Sequence, residues 1–208
     1  MNLYTIGHSN LDIDAFVDLL GLHQAQAVAD VRSNPFSARY PQFSQPGFEA
    51  LLRERGIAWL GFGDELGGRP DDPTAYTDGH VNYRLRRKSA AFRQGLERLV
   101  LELERRTVAM MCAEEDPLQC HRFLMNCAEL RAWGVPARHI RKGGRIEEQD
   151  QAEDRLLEAH GAGAVARGGL FYTPEDRAAA LEEAYLKQAS QFAFRPERQP
   201  EAEWEFGA

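Results

Sequence analysis

The run TVAMM at residues 107–111 carries no charge over five positions and leads straight into a crowded polar stretch, CAEEDPLQCHR, at 112–122. An uncharged apolar and β-branched run of this length reads as a strand buried on both faces. Strands of that kind belong to parallel sheets covered by helices. The flanking sequence agrees with this. Ser89 is placed to cap an amphipathic helix with Phe92, Leu96, Leu99, Val100 and Leu103 at helical spacing. After the polar stretch begins, Asp116-Pro117 reads as an N-cap and first helical residue, with Gln119 at the third position. That helix is expected to run to Trp133 and stop at Gly134-Val135-Pro136, ahead of a strand at 137–140. Strand, loop, helix and strand in this order make a βαβ unit.

The N-terminal part repeats the alternation. A β-prone run at 3–6 ends in Gly7, and Ser9 or Asn10 is positioned to cap a helix bearing Ile13, Phe16, Val17 and Leu20. A strand at 27–31, a helix at 48–55 stopped by Gly56, and a strand at 57–60 follow. Residues 61–83 are rich in Gly, Pro and Asp without a sustained period, the signature of a binding loop, a lid or disorder. The expected fold is α/β: a mostly parallel open sheet flanked by helices in three layers over residues 1–145. A helical extension at 146–193, with helices at 149–160 and 173–192, and a polar, disordered tail at 194–208 complete it.

A 208-residue chain with a formal net charge of -7 is poorly suited to non-specific nucleic-acid binding, which depends on Lys and Arg neutralising phosphate. The exception is the basic run Tyr83-Arg84-Leu85-Arg86-Arg87-Lys88, which suits either a phosphate-bearing ligand or a solvated face. There is no apolar stretch for a membrane span and no secretory-signal pattern at the start, so a cytoplasmic location is expected. The three cysteines, Cys112, Cys120 and Cys127, form an odd, crowded set that suits a reducing compartment.

Ligands of open parallel sheets sit beyond the carboxyl ends of the strands. Three polar clusters fall at such ends: Gly7-His8-Ser9, Asp30-Val31-Arg32-Ser33, and residues 112–122. If the three strands are neighbours, the clusters share one crevice. Cys112 follows the uncharged strand directly, at a helix mouth where a thiolate is favoured, although Glu114, Glu115 and Asp116 oppose it. Its alternative is a small buried residue at a strand end. Cys120 shares the helical stripe of Phe123, Cys127 and Leu130 and reads as a weaker nucleophile. His121 and Arg122, near unpaired helical N–H groups, suit a phosphate, carboxylate or base carbonyl. Asp30 and Arg32 point the same way from their strand, as an ion pair or as a couple that holds a ligand. Glu114 is the best general acid or base, His8 a second proton carrier, and Ser9 a ligand contact. The cysteines stand seven residues apart rather than in a C-x2-C pair, so no metal is expected, and no cofactor is called for.

Several of these stretches resemble the bacterial domain of unknown function 488. They are Tyr4-Thr5-Ile6-Gly7-His8-Ser9, Asp30-Val31-Arg32 with Pro35 and Ser37, Leu66-Gly67-Gly68, Met111-Cys112-Ala113-Glu114 with Asp116-Pro117, Cys120-His121-Arg122, and His139-Ile140. The resemblance spans residues 3 to about 140 and implies a compact α/β domain. It marks Gly7, His8, Ser9, Asp30, Arg32, Cys112, Glu114, Cys120, His121 and Arg122 as motif positions. A weaker likeness is to rhodanese-type sulfurtransferases, with their strand ending Asp-Val-Arg and a later strand ending in a cysteine. The three acids after Cys112 are hard to reconcile with the anion cradle such an enzyme needs.

The leading expectation is an enzyme acting on a small or nucleotide-like anionic ligand in the crevice. Its rivals are a binding module for a nucleotide, nucleic acid or modified base, and a sulfurtransferase using Cys112.

Overall fold

The structure, a computed structural model, describes residues 1–168 and 172–196. The N-terminal half alternates β1 (Leu3–Gly7), α1 (Ile13–Leu22), β2 (Ala27–Asp30), α2 (Gly47–Glu54) and β3 (Ala58–Gly61). Short α3 (Gly63–Leu66), a hairpin of β4 (Tyr76–Thr77) and β5 (His80–Val81), and α4 (Tyr83–Arg86) lead into α5 (Ala90–Arg105) and β6 (Val108–Cys112). A π-helical segment, Arg122–Cys127, continues into α6 (Ala128–Ala132), and β7 (Arg138–Ile140) and β8 (Ile146–Glu148) follow. The chain then forms α7 (Gln149–Ala159), α8 (Gly163–Ala166) and α9 (Pro174–Phe192).

Among the described residues the main sheet has the order β3-β2-β6-β1-β7-β8, parallel except for β8, which runs antiparallel to β7. β6 is buried at every position because alternate side chains feed two cores. Ala109 and Met111 meet Phe16 and Leu20 of α1 and Phe48 and Leu52 of α2 on one face. Val108, Met110 and Cys112 meet Phe92, Leu96 and Leu99 of α5 and Phe123 on the other. Each large side chain so buried contributes about 1.5–3 kcal/mol. The architecture is therefore the expected three-layer α/β sheet. The C-terminal helices lie in the second of these cores, where Leu156, Leu157, Ala184 and Ala189 join the cluster that contains Phe123. No helix among the described residues is long and apolar enough to cross a membrane.

Local signals misplaced four features. The helix expected from Asp116 does not start there. The Asp116 carboxylate caps a single 3-10 turn, Pro117–Gln119, by accepting from the Leu118 N–H. The backbone is then extended at Cys120 (φ -133°, ψ 139°), so Cys120 becomes the cap of the helix that follows. α1 is capped by Asp12, whose side chain accepts from Ala15 N–H, rather than by Ser9 or Asn10. The segment 61–83 is not a bare loop: Asp72 and Asn82 cap its short helical turns, and Leu66 and Val81 are buried. Of the tail expected to be disordered, Phe194 is packed, its carbonyl accepting from the Val81 N–H at 2.9 Å. Residues 197–208 lie outside the described part of the chain.

Candidate functional site

β6 is inserted between β2 and β1, so the carboxyl ends of these three strands stand side by side. Gly7 ends β1 hard against the loop after β6; a Cβ there would lie 1.8 Å from the Glu114 carbonyl oxygen. The His8 and Ser9 N–H groups donate to the Cys112 and Ala113 carbonyls at 3.0 and 2.8 Å, and the Val31 N–H donates to Met111 at 3.0 Å. These bonds lock the three polar clusters together around a cavity of roughly 420 Å³.

His8, Arg32, Cys112, Glu114, Cys120 and His121 all line this cavity. The other three expected site residues do not. Ser9 (φ 43°) lines a separate hollow beside Glu115 and Arg141. Asp30 is buried under Arg32, accepting from its Nε at 2.9 Å and its Nη2 at 2.6 Å. Arg122 is 1% exposed, with its guanidinium donating to the Glu114 and Glu115 carbonyls and to Thr5 Oγ1. Its donors are thus turned to the backbone of Glu114 and Glu115 and to Thr5 rather than to the cavity. Tyr83, Gly68, Arg69, Phe192 and Phe194 also line the cavity, although sequence reasoning placed Tyr83 in a basic run and Gly68 in a motif without assigning any of the five to the site.

His121 organises the centre. Its Nε2 lies 3.0 Å from the Val31 carbonyl, which can only accept, so this nitrogen carries the proton. In the neutral ring Nδ1 then holds a free lone pair. It faces Cys112 Sγ at 3.8 Å and Cys120 Sγ at 3.9 Å. The Arg122 backbone N–H donates to Cys120 Sγ at 3.4 Å, as at a helix N-cap.

The electrostatics divide the two thiols. Burial opposes ionisation of Cys120, but the Cys112 thiol, Arg122 and His121 outweigh it and hold the Cys120 thiol well below its ordinary range. Cys112 is pushed well up by the neighbouring Cys120 sulfur, by burial and by Glu114. The helix-mouth position expected of Cys112 thus belongs to Cys120. Burial also works against a charged His121, yet the Cys120 sulfur, Glu114 and the Val31 carbonyl leave its affinity for a proton raised. Glu114 is raised by burial and then by Cys120. His8, stacked 4.4 Å from the Phe43 ring, is lowered to about 4 by burial and by Arg32, so it is neutral at pH 7.

Two further groups bear on ligands. Arg32 spends Nε and Nη2 on Asp30 and the Phe43 carbonyl, whereas its buried Nη1 has no hydrogen-bond partner among the described residues. Separation along the chain argued against a metal; the fold nonetheless brings Cys112 Sγ, Cys120 Sγ and a His121 ring nitrogen within 4.8 Å of one another.

A search of curated proteins and a search of solved structures each returned no match. The family model described as Domain of unknown function DUF488 matches residues 12–128. That span is more than half of the 208 residues and carries Asp30, Arg32, Cys112, Glu114, Cys120, His121 and Arg122. The chain belongs to the DUF488 family.

Proposed function

We propose that the crevice is the active site of an enzyme acting on a small or nucleotide-like anionic ligand. One observation carries the reading: Arg32, whose buried Nη1 has no hydrogen-bond partner among the described residues, lines the same cavity as Cys112, Cys120 and His121. A buried cationic donor without a partner is costly, and an anion supplies what it lacks. In this reading Arg32, with Arg69 elsewhere on the same cavity wall, holds the anionic group. Glu114, whose proton affinity is raised by burial and by Cys120, moves a proton. The sulfur–imidazole cluster is the reactive centre.

The rival readings have less support. A nucleic-acid module would use the basic run at 83–88, but the buried Arg86 donates to the Asp64 and Glu65 carbonyls, while Arg84 and Arg87 face Glu182 and Glu129. A sulfurtransferase would need backbone N–H groups converging on Cys112. Here the Glu114 and Glu115 carbonyls instead turn to Arg122. A cytoplasmic setting belongs to the same proposal, supported by three cysteines that are free and buried.

The test is a panel of small phosphates, carboxylates and nucleotides, with binding followed by calorimetry in the native protein, Arg32→Lys and Glu114→Gln. A panel member should bind the native protein, lose at least about tenfold in affinity with Arg32→Lys, and bind Glu114→Gln normally while its turnover is lost. Equal affinity for native and Arg32→Lys protein, or undiminished turnover in Glu114→Gln, would overturn these assignments. So would a panel with no binder.

A further inference from the structure

We propose that Cys112, Cys120 and His121 form a site for one borderline-soft divalent cation, zinc being the ion they match, with a free coordination position facing the cavity. The inference deepens the reading of the crevice as an active site, and rests on it only in assigning that free position to a ligand.

The geometry is the first argument. Tetrahedral zinc holds sulfur at about 2.3 Å and imidazole nitrogen at about 2.0–2.1 Å, which sets sulfur–nitrogen separations near 3.6 Å and sulfur–sulfur separations near 3.8 Å. The two sulfurs stand 3.8 and 3.9 Å from His121 Nδ1, and all three donor atoms lie within 4.8 Å. The sulfur–nitrogen separations are within about 0.3 Å of such a sphere, and the 4.8 Å bound leaves the two sulfurs at most about 1 Å to close.

The second argument is how the donors are held. A ligating imidazole needs its other nitrogen fixed by an acceptor, which sets the tautomer and aims the lone pair. The Val31 carbonyl does this for His121, leaving Nδ1 facing both sulfurs. Gly68 supports the ring from another side, since it alone lets the chain come this close to the imidazole. Cys120 is backed by the Arg122 N–H, which suits an anionic sulfur. Cys127 provides the contrast. It is as deeply buried and shares the apolar cluster with the other two, yet among the described residues it joins no such group of donors, so burial alone does not gather thiols around an imidazole.

The third argument is the count of ligands. Structural zinc sites are closed by four protein donors, whereas catalytic sites have three and an open position. Here three donors line a cavity whose wall also carries Glu114 and Arg32. A cation in this place would polarise a bound water or a carbonyl or phosphoryl oxygen, with the Glu114 carboxyl near enough to share the cavity and Arg32 available for an anionic group. The ligand class that fits is a small anion bearing such an oxygen.

The experiment uses full-length protein freed of metal by a chelator and titrated with cobalt(II), then with zinc against a chromophoric competitor. One equivalent of cobalt should give a thiolate-to-cobalt charge-transfer band and the strong visible bands of a tetrahedral ion, both abolished by zinc. Cys112→Ala and Cys120→Ala should each lower zinc affinity at least about 100-fold, while Cys127→Ala leaves it within about twofold. Circular dichroism confirms that the variants are folded, and the native titration decides the matter if they are not. A folded native protein without the charge-transfer band overturns the proposal, as does a band that survives in both Cys112→Ala and Cys120→Ala. No substrate enters these measurements. Zinc binding without anion recognition would sink the enzyme reading and leave the metal site standing; anion recognition through Arg32 without a metal would do the reverse.

Discussion

Gly68 lies so close to His121 that a Cβ on it would stand 2.8 Å from the ring Cγ and 2.9 Å from Nδ1. The same segment is tied to β2's end by the Arg69 N–H, which donates to Ser33 Oγ at 2.9 Å. Gly68→Ala therefore has to displace either the imidazole or this tied segment. Overpacking of this kind costs about 1–3 kcal/mol, to be read as a lower urea midpoint. Zinc affinity should fall about 10- to 100-fold because the ring leaves its aim. An unchanged midpoint together with unchanged affinity would show that the segment yields freely.

Arg122 is the second structural dependency of the site. Its guanidinium is buried and satisfies the carbonyls of Glu114 and Glu115. Arg122→Leu leaves both carbonyls without a donor and removes a buried charge set among Cys120, Cys112 and Glu114. The expected loss is about 3–5 kcal/mol in urea unfolding. Arg122→Lys keeps the charge but cannot reach both carbonyls as a fork, and should recover only part of this. A loss below about 1 kcal/mol for the leucine variant would mean that residues 113–119 hold their shape without it.

The contrast between these residues shows what was legible in the sequence. The uncharged run at 107–111 identified the central strand because burial on both faces leaves no other composition open to it. The polar strand ends identified His8, Arg32, Cys112 and Glu114 as neighbours once β6 was found between β1 and β2. That strand order is a long-range property which local periodicity does not encode. Arg122 read as an exposed anion binder because helix starts favour anions, and only tertiary structure shows its donors consumed below the loop. Cys120 was obscured by Asp116-Pro117, a strong local start signal that yields a single turn. β8 has two acids in its three residues and gave no strand signal. Tyr83, Phe192 and Phe194 reach the cavity by packing across the chain, which no local signal encodes.

Acid should destabilise the fold through histidines that are buried neutral. Burial, reinforced by Arg122, lowers His139 from 6.5 to about 3. Above pH 6.5 neither folded nor unfolded chain protonates this ring, and its contribution is complete. As pH falls below 6.5 the unfolded chain takes up a proton that the native state refuses, so stability declines until the folded value is reached. By about pH 4.5 the loss from His139 alone is about 2–3 kcal/mol. His139→Asn keeps a polar partner for Thr5 Oγ1, now 2.8 Å from the His139 Nδ1, but cannot titrate. Urea unfolding at pH 7 and pH 4.5 should show a smaller acid loss in the variant than in the native protein. Equal losses would place the acid sensitivity on the ion-paired carboxylates, such as Glu115 and Asp116, whose lowered proton affinity acts in the same direction.

Phe194 closes one side of the cavity from the far end of the described chain. Its carbonyl accepts from Val81 N–H, its ring lies 4.5 Å beneath the Arg69 guanidinium, and it lines the cavity together with Phe192. Phe194→Ala removes that ring while leaving the sheet and the histidine cluster in place. In metal-free protein the alkylation rates of Cys112 and Cys120 should then rise about tenfold, because reagent reaches the cavity without unfolding the core. Cys127, buried in the core and not among the residues that line the cavity, reports global opening in the same sample. Its rate should stay constant, measured peptide by peptide by mass spectrometry. If all three cysteines accelerate together, Phe194 supports the whole fold. If none does, the ring is not what shields the sulfurs, and the cavity is already open to molecules of the reagent's size.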